Sequence, residues 1–122
     1  MGMYMDHNIR FNHPLLSNAE LADRICKIIE QEPDEFPYLY GKDFHLYDSM
    51  VYTYFETSSF NAHDDISDEL RLLSLRLGDV TIYYHLNTDS EGSSARSVFH
   101  GDQYEEAWAE ITYDFTRMRW ED

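Results

Sequence analysis

Two stretches of the chain repeat their apolar residues at the spacing of an amphipathic helix. The first follows Ser17-x-x-Glu20, a capping box in which each side chain satisfies a free amide of the opening turn, and it ends at Pro33. The second opens around residues 64–65 and is closed by Gly78, which suits a left-handed cap. The apolar faces that predict these two helices consist of Leu21, Ile25, Ile28, Ile29, Ile66, Leu70, Leu73 and Leu77.

Elsewhere apolar and polar residues alternate one by one, which is the period of a half-buried strand. The clearest run is Val80 to Leu86, and we expect it to form a hairpin with the stretch from Arg96 to His100. Phe44 to Tyr47 and Met50 to Phe55 predict a second hairpin, and Tyr4 to Phe11 predicts a weaker strand. The two prolines between residues 32 and 41 predict a loop there.

The last segment fits two interpretations. Asp102-x-x-Glu105 fits a helix cap, whereas a strand through Ile111, Tyr113 and Phe115 is the competing pattern. Apolar residues follow the cap at steps of four and three, namely Tyr104, Trp108, Ile111, Phe115 and Met118. The strand pattern leaves Tyr104 and Trp108 unexplained. We therefore predict a helix in this segment.

Together these elements predict one α+β domain over residues 1–122. The expected order is β-α-β-β-α-β-β-α. About three helices would pack on an antiparallel sheet of roughly four to five strands.

The net charge of the chain limits the kinds of molecule that it is expected to bind. There are 24 acidic residues against 9 Lys and Arg, a formal net charge of −15. Direct binding of nucleic acid or of an anionic membrane requires a basic surface, so neither is expected. Because 43% of the residues are apolar and 16% are aromatic, the chain is not a disordered acidic tail.

Cysteine usage and the apolar runs indicate a cytoplasmic protein. Cys26 is the single cysteine, so the sequence offers no internal disulfide. No run approaches the roughly 18 apolar residues of a membrane span, and the start of the sequence has no signal-peptide pattern.

Two acidic groups are the candidate partner-binding residues. Asp102, Glu106, Glu110 and Asp114 follow one another at intervals of four, with Glu105 beside them. On the predicted helix this spacing makes one row with carboxylates about 6 Å apart, and its self-repulsion costs on the order of 1 kcal/mol. The second group lies in the first turns of the second helix, where complementing the helix dipole is the simpler explanation: Asp64, Asp65, Asp68 and Glu69.

No motif in the chain identifies an enzyme, a cofactor or a metal site. The six histidines have no H-x-x-x-H or H-E-x-x-H spacing, and no nucleophile or phosphate-loop motif occurs. Asn87-x-Asp89-x-Glu91-Gly92 matches the first half of a calcium loop, but Val98 stands where the bidentate Glu is needed. We therefore predict a hairpin turn there and a protein that is not an enzyme.

In size, acidity and its mixture of carboxylate rows with tyrosines, the chain resembles the small phage proteins that inhibit bacterial defence, in particular DNA-mimicking anti-CRISPR and anti-restriction proteins. The resemblance implies an inhibitor of a basic nucleic-acid-handling protein, such as a Cas effector or a restriction enzyme, in the host cytoplasm. The chain also looks like an immunity protein that neutralises a nuclease toxin, and a small regulatory binding module is a further alternative. A solvated acidic face without a partner fits equally well. The oligomeric state stays open.

Overall fold

A computed structural model describes residues 5–47, 50–58, 62–88 and 93–110, without the side chains of Ser93 and residues 107–110. The described chain is α+β, as predicted. A single 3-10 turn, Pro33–Glu35, follows the first helix. The elements in chain order are β1 Met5–Asn12, α1 Asn18–Gln31, β2 His45–Tyr47, β3 Met50–Thr57, α2 Ala62–Leu77, β4 Thr81–Thr88, β5 Ser93–His100 and β6 Gln103–Glu110.

The six strands form one antiparallel sheet in the order β2-β3-β1-β4-β5-β6. The elements from β1 to β4 follow the β-α-β-β-α-β order of the split-βαβ, ferredoxin-like motif. β5 and β6 extend that sheet as a meander on the β4 side. The sheet is therefore one strand larger than the four to five strands that the sequence predicts.

Connection geometry places both helices on the same face of the sheet. α1 joins β1 to β2 and α2 joins β3 to β4, in each case across one intervening strand. Crossovers of this kind are right-handed in nearly all proteins. The two crossovers start from the antiparallel strands β1 and β3 and cross the sheet in opposite directions. Right-handedness therefore puts both helices on the same side of the sheet. Accordingly α1 packs against α2, β2 and β3, and α2 packs against β4 and β5.

The core fills the space between the helices and the strand residues that face them. Its largest fully buried side chains come from both layers and include Phe11, Phe36, Tyr84, Phe99, Ile9, Ile25 and Leu70. The opposite side of the sheet, which we call the open face, is not covered by either helix. Its centre carries the alternate residues of β3, β1, β4 and β5, namely Tyr52, Tyr54, Arg10, Tyr83, His85 and Arg96.

The structure confirms both helices that the sequence predicts. Ser17 caps α1, and both halves of its capping box with Glu20 form. α2 begins at Ala62, slightly before the predicted start, and ends before Gly78, whose φ of +85° is left-handed. Among the described residues, neither helix is long and apolar enough to cross a membrane.

The predicted third helix is wrong over the described part of the last segment. Gly101, with φ +59°, turns the chain back, and Gln103–Glu110 pairs with β5. Tyr104 then packs on Phe99 with ring centroids 4.9 Å apart. A spacing of four residues is uninformative here, because residues four apart share a face in a strand as well as in a helix. Residues 111–122 lie outside the described chain.

A buried carboxylate joins α2 to the loop between α1 and β2. Glu69 is 4% exposed and accepts hydrogen bonds from the backbone amides of Tyr38 and Leu39 at 2.9–3.2 Å. Burial raises the pKa of Glu69 to about 7, although the two amides favour the charged form. This burial removes Glu69 from the candidate partner-binding residues.

Glu69→Gln should change how stability depends on pH. Because the pKa of Glu69 is raised to about 7 from 4.5, ionising it opposes folding, and stability is lost as the pH rises through this window. The wild-type protein should therefore lose up to about 3 kcal/mol relative to Glu69→Gln between pH 4.5 and pH 8. Urea unfolding of both proteins at several pH values measures this difference, with the exposed Glu30→Gln as control. Parallel curves for wild type and Glu69→Gln would contradict the assignment.

Candidate functional site

The exposed carboxylates of α2, together with Glu106 of β6, lie on the side of the sheet that the helices cover. Asp64, Asp65 and Asp68 are exposed on α2. In the β5–β6 hairpin, Glu106 shares the side of Tyr104 that meets the helices, and Glu105 lies on the open face. Asp102 is exposed in the turn before β6. Glu110 ends β6 and its side chain is not described, and Asp114 lies outside the described residues.

The predicted row of carboxylates therefore does not exist as a helical row. Along a strand, residues four apart are separated by about 13 Å, roughly twice the helical distance. Asp102, Glu106 and Glu110 are consequently spread along one edge of the sheet instead of forming a dense stripe. Glu105 points to the other side of the sheet from Glu106.

A buried histidine instead brings the two predicted acidic groups together. The His63 side chain is 6% exposed, with Nδ1 3.5 Å from Asp64 Oδ1 and Nε2 3.6 Å from Glu106 Oε1. Asp64 projects into solvent with 90% of its side chain exposed, and 25% of Glu106 is exposed. We call the surface formed by Asp64 and Glu106 around His63 the acidic corner.

Glu106 is held in place before any partner arrives. Its carboxylate accepts hydrogen bonds from the hydroxyls of Tyr104 and Ser97. Burial and the bond to Glu106 raise the pKa of Tyr104 to about 12, so its hydroxyl keeps the proton that it donates. The Arg71 guanidinium lies over the Tyr104 ring, 5.4 Å from the centroid. A carboxylate fixed in this way loses little conformational entropy on binding.

Below the acidic corner lies a stack of three buried rings. Tyr84 lies between His63, at a centroid distance of 5.4 Å, and His7, at 5.8 Å. His7 is fully buried, with Nδ1 2.6 Å from the Tyr84 hydroxyl and Nε2 2.7 Å from the Thr57 hydroxyl. Burial and the neighbouring His63 lower the pKa of His7 to about 4, so the imidazole is neutral near pH 7.

The contacts of His7 and Tyr84 support a structural role. Both ring nitrogens of His7 and the Tyr84 hydroxyl are engaged within the core, which leaves them no direct approach to a substrate. Burial, with Glu106 and Asp64, raises the pKa of Tyr84, so this hydroxyl stays protonated. Sequence reasoning did not single out His7 or His63, because neither belongs to a spaced motif.

Most of the described tyrosines lie away from the acidic corner. Tyr54 and Tyr83 are 48% and 43% exposed on the open face, and Tyr52 is half-buried there. Tyr40 is exposed in the loop before β2, and Tyr38 packs against the core. Tyr104 is the described tyrosine that contacts a carboxylate of the corner.

The described side chains include no cluster of three or more His, Cys, Asp or Glu suited to a metal ion. Asp89, Glu91 and Gly92 of the partial calcium-loop motif lie outside the described residues. Comparison with protein-family models, with curated proteins and with solved structures finds no match. The geometry of the chain itself therefore carries the functional argument.

His7→Gln should flatten the loss of stability in acid. Since the pKa of His7 is lowered to about 4 from 6.5, its contribution is complete above pH 6.5 and is lost as the pH falls towards 4. Relative to His7→Gln, the wild-type protein should lose up to about 3 kcal/mol over that interval. Denaturant unfolding between pH 7.5 and pH 4 tests this, with the exposed His45→Gln as control. An equal acid dependence in wild type and His7→Gln would show that His7 protonates freely in the folded protein.

Proposed function

We propose that this chain is a non-catalytic inhibitor that binds a basic nucleic-acid-handling protein through the acidic corner and competes there with nucleic acid. One observation supports it above the others. A single buried imidazole lies between Asp64 and Glu106, so carboxylates from α2 and β6 lie on one surface. Asp65 and Asp68 are further exposed carboxylates of α2.

Total charge supports the same class of partner. A net charge of −15 repels nucleic acid and a second copy of this chain, and it attracts a basic protein. Fields of this kind raise the association rate most at low ionic strength, because salt screens them beyond about 8 Å at physiological concentration. Fixed carboxylates at the contact itself contribute to slow dissociation as well.

Edge protection is the simplest alternative explanation for part of this charge. Among the described strands β6 lies at the edge of the sheet, and charged side chains on an edge strand hinder pairing with other chains. That explanation covers Glu105 and Glu106. It does not cover Asp64, Asp65 and Asp68, which lie on a helix. A test of function must therefore change the helix and the strand together.

Asp64→Asn/Glu106→Gln should weaken binding to a basic partner without unfolding the protein. Both replacements keep hydrogen-bonding oxygens, and the amide oxygen introduced by Glu106→Gln can still accept from Tyr104, so stability should change little. Loss of two charge contacts should weaken binding by about tenfold or more. The measurement is displacement of labelled DNA from purified basic proteins, namely a Cas effector, a restriction endonuclease and a nuclease toxin, at 50 and 300 mM salt.

The matched control is Glu30→Gln/Glu35→Gln, which removes the same charge from exposed positions on α1 and in the following turn. It should bind within about twofold of wild type, because it lowers only the long-range attraction. Equal weakening by both double variants would assign the effect to net charge and would contradict a role for the acidic corner. Failure to displace DNA from any of the three proteins would contradict the proposed class of partner.

A further inference from the structure

Two adjoining grooves lie on the open face, on the other side of the sheet from the acidic corner. The larger has a volume of about 250 Å³, and Arg10, Tyr83, His85, Arg96 and Val98 contribute to its lining. The smaller, of about 190 Å³, shares Arg10 and Tyr83 and is completed by Phe11, Asn12 and Met50. Each alone is smaller than the roughly 300 Å³ at which small-molecule sites start, and together they exceed it.

Strand register brings two guanidinium side chains into the larger groove. Arg10 pairs with Tyr83 of β4, and Arg96 pairs with His85, two residues further along the same strand. The arginines therefore flank β4 from β1 and β5. Burial, with the charges of Arg96 and Arg10, lowers the pKa of His85.

Neither arginine forms a salt bridge with a described carboxylate. No described carboxylate lies within 4.0 Å of Arg10 or Arg96. The described acids on the open face are Asp6, Glu56 and Glu105. Asp6 and Glu56 pair with each other, and Asp6 lies two residues along β1 from Asn8, the partner of His85. Glu105 lies on β6. Asp6 accepts a hydrogen bond from Tyr54.

This absence follows from the residues around each arginine. Arg10 has Tyr52 and Tyr83 as cross-strand neighbours, with Asn8 and Asn12 on the same face of its own strand. Arg96 lies opposite His85 and between Ser94 and Val98. A cross-strand carboxylate at any of these positions would stabilise the sheet by up to about 1 kcal/mol. A chain with 24 acidic residues places none there.

The donors in this groove suit a phosphate group. One guanidinium can satisfy a carboxylate through its two-pronged fork, whereas two guanidiniums match the charge and the several oxygens of a phosphate. The smaller groove offers contacts for a ring attached to that phosphate. Tyr83 offers a ring that is 43% exposed, Met50 offers an adaptable apolar contact, and Asn12 offers amide hydrogen bonds.

We propose that the two grooves form a nucleotide-binding site. The phosphate lies between Arg10 and Arg96, and the base lies over Tyr83 towards Met50 and Asn12. This site is independent of the proposed inhibitory function, because it uses the opposite side of the sheet. The net charge of −15 does not forbid it, since salt screens distant carboxylates while the guanidiniums contact the ligand directly.

Nuclear magnetic resonance titration of the whole chain with adenosine monophosphate tests the proposal. We expect shift changes centred on the amides of residues 10, 12, 83, 85 and 96, and a raised pKa of His85 because the bound phosphate is an anion. Inorganic phosphate should produce the changes at residues 10, 85 and 96 with weaker affinity, since it lacks the base. Adenosine alone should bind at least tenfold more weakly than the nucleotide.

Substitutions then separate the two parts of the site. Arg10→Gln and Arg96→Gln should each weaken binding of the nucleotide by about tenfold or more, whereas the exposed Arg24→Gln on α1 removes the same charge and should have little effect. Tyr83→Leu should weaken the nucleotide and leave inorganic phosphate unchanged. A circular dichroism melt of each variant verifies folding before the titrations are compared.

Several results would overturn the proposal. These are no shift changes at 10 mM nucleotide, changes centred away from the two grooves, equal affinity for phosphate and nucleotide, or equal weakening by Arg24→Gln. A short oligonucleotide with a terminal phosphate identifies the source of the ligand. Tighter binding than the mononucleotide supports the end of a nucleic-acid strand, and equal or weaker binding supports a free nucleotide.

Discussion

The placement of both helices on one face of the sheet is the constraint on which the rest of this structure depends. It follows from two right-handed crossovers that start from antiparallel strands and cross the sheet in opposite directions. β1, between β3 and β4, is thereby covered on one side only. The strands β3, β1, β4 and β5 then send alternate residues to different environments, one apolar and one exposed to solvent. The acidic corner lies on the covered side of the sheet, and the grooves lie on the open face.

On the covered side, alternation buries polar groups that must satisfy one another. His7 and Tyr84 face the helices because their strand neighbours Met5, Ile9 and Leu86 do. Burial keeps both neutral near pH 7, and their mutual hydrogen bond and the bond to Thr57 satisfy the buried polar atoms. The His63 ring stacks on this neutral pair and lies between two carboxylates. The acidic corner is therefore set on rigid aromatic packing instead of on a loop.

The helices could be predicted from the sequence because their signals are local. The capping box of α1, the closing Gly78 and the apolar stripes need no knowledge of the rest of the chain. The last segment could not be predicted in this way. Tyr104 and Trp108, like Glu106 and Glu110, are four apart, and that spacing fits both a helix and a strand. Pairing with β5 in a hairpin, through the turn at Gly101, decided between them.

The site was less predictable than the fold, because it depends on contacts between distant residues. Asp64 and Glu106 were both candidates, but their meeting at His63 depends on how α2 crosses β5 and β6. Glu69 looked equivalent to Asp65 and Asp68 in sequence, and the amides of Tyr38 and Leu39 make it different. The pairing of Arg10 and Arg96 around β4 likewise required the strand order and register, neither of which a single arginine in an alternating run reveals.

Register also ties the two surfaces to each other. Glu105 and Glu106, Arg96 and Ser97, and Tyr83 and Tyr84 are consecutive pairs whose members lie on opposite sides of the sheet. A slip of one residue in β5 or β6 would move Glu106 to the open face and Arg96 into the core. Burying a guanidinium without a partner is far more costly than losing one strand contact, so the core enforces the register. The same alternation that builds the acidic corner thus holds the arginines out in the grooves of the open face.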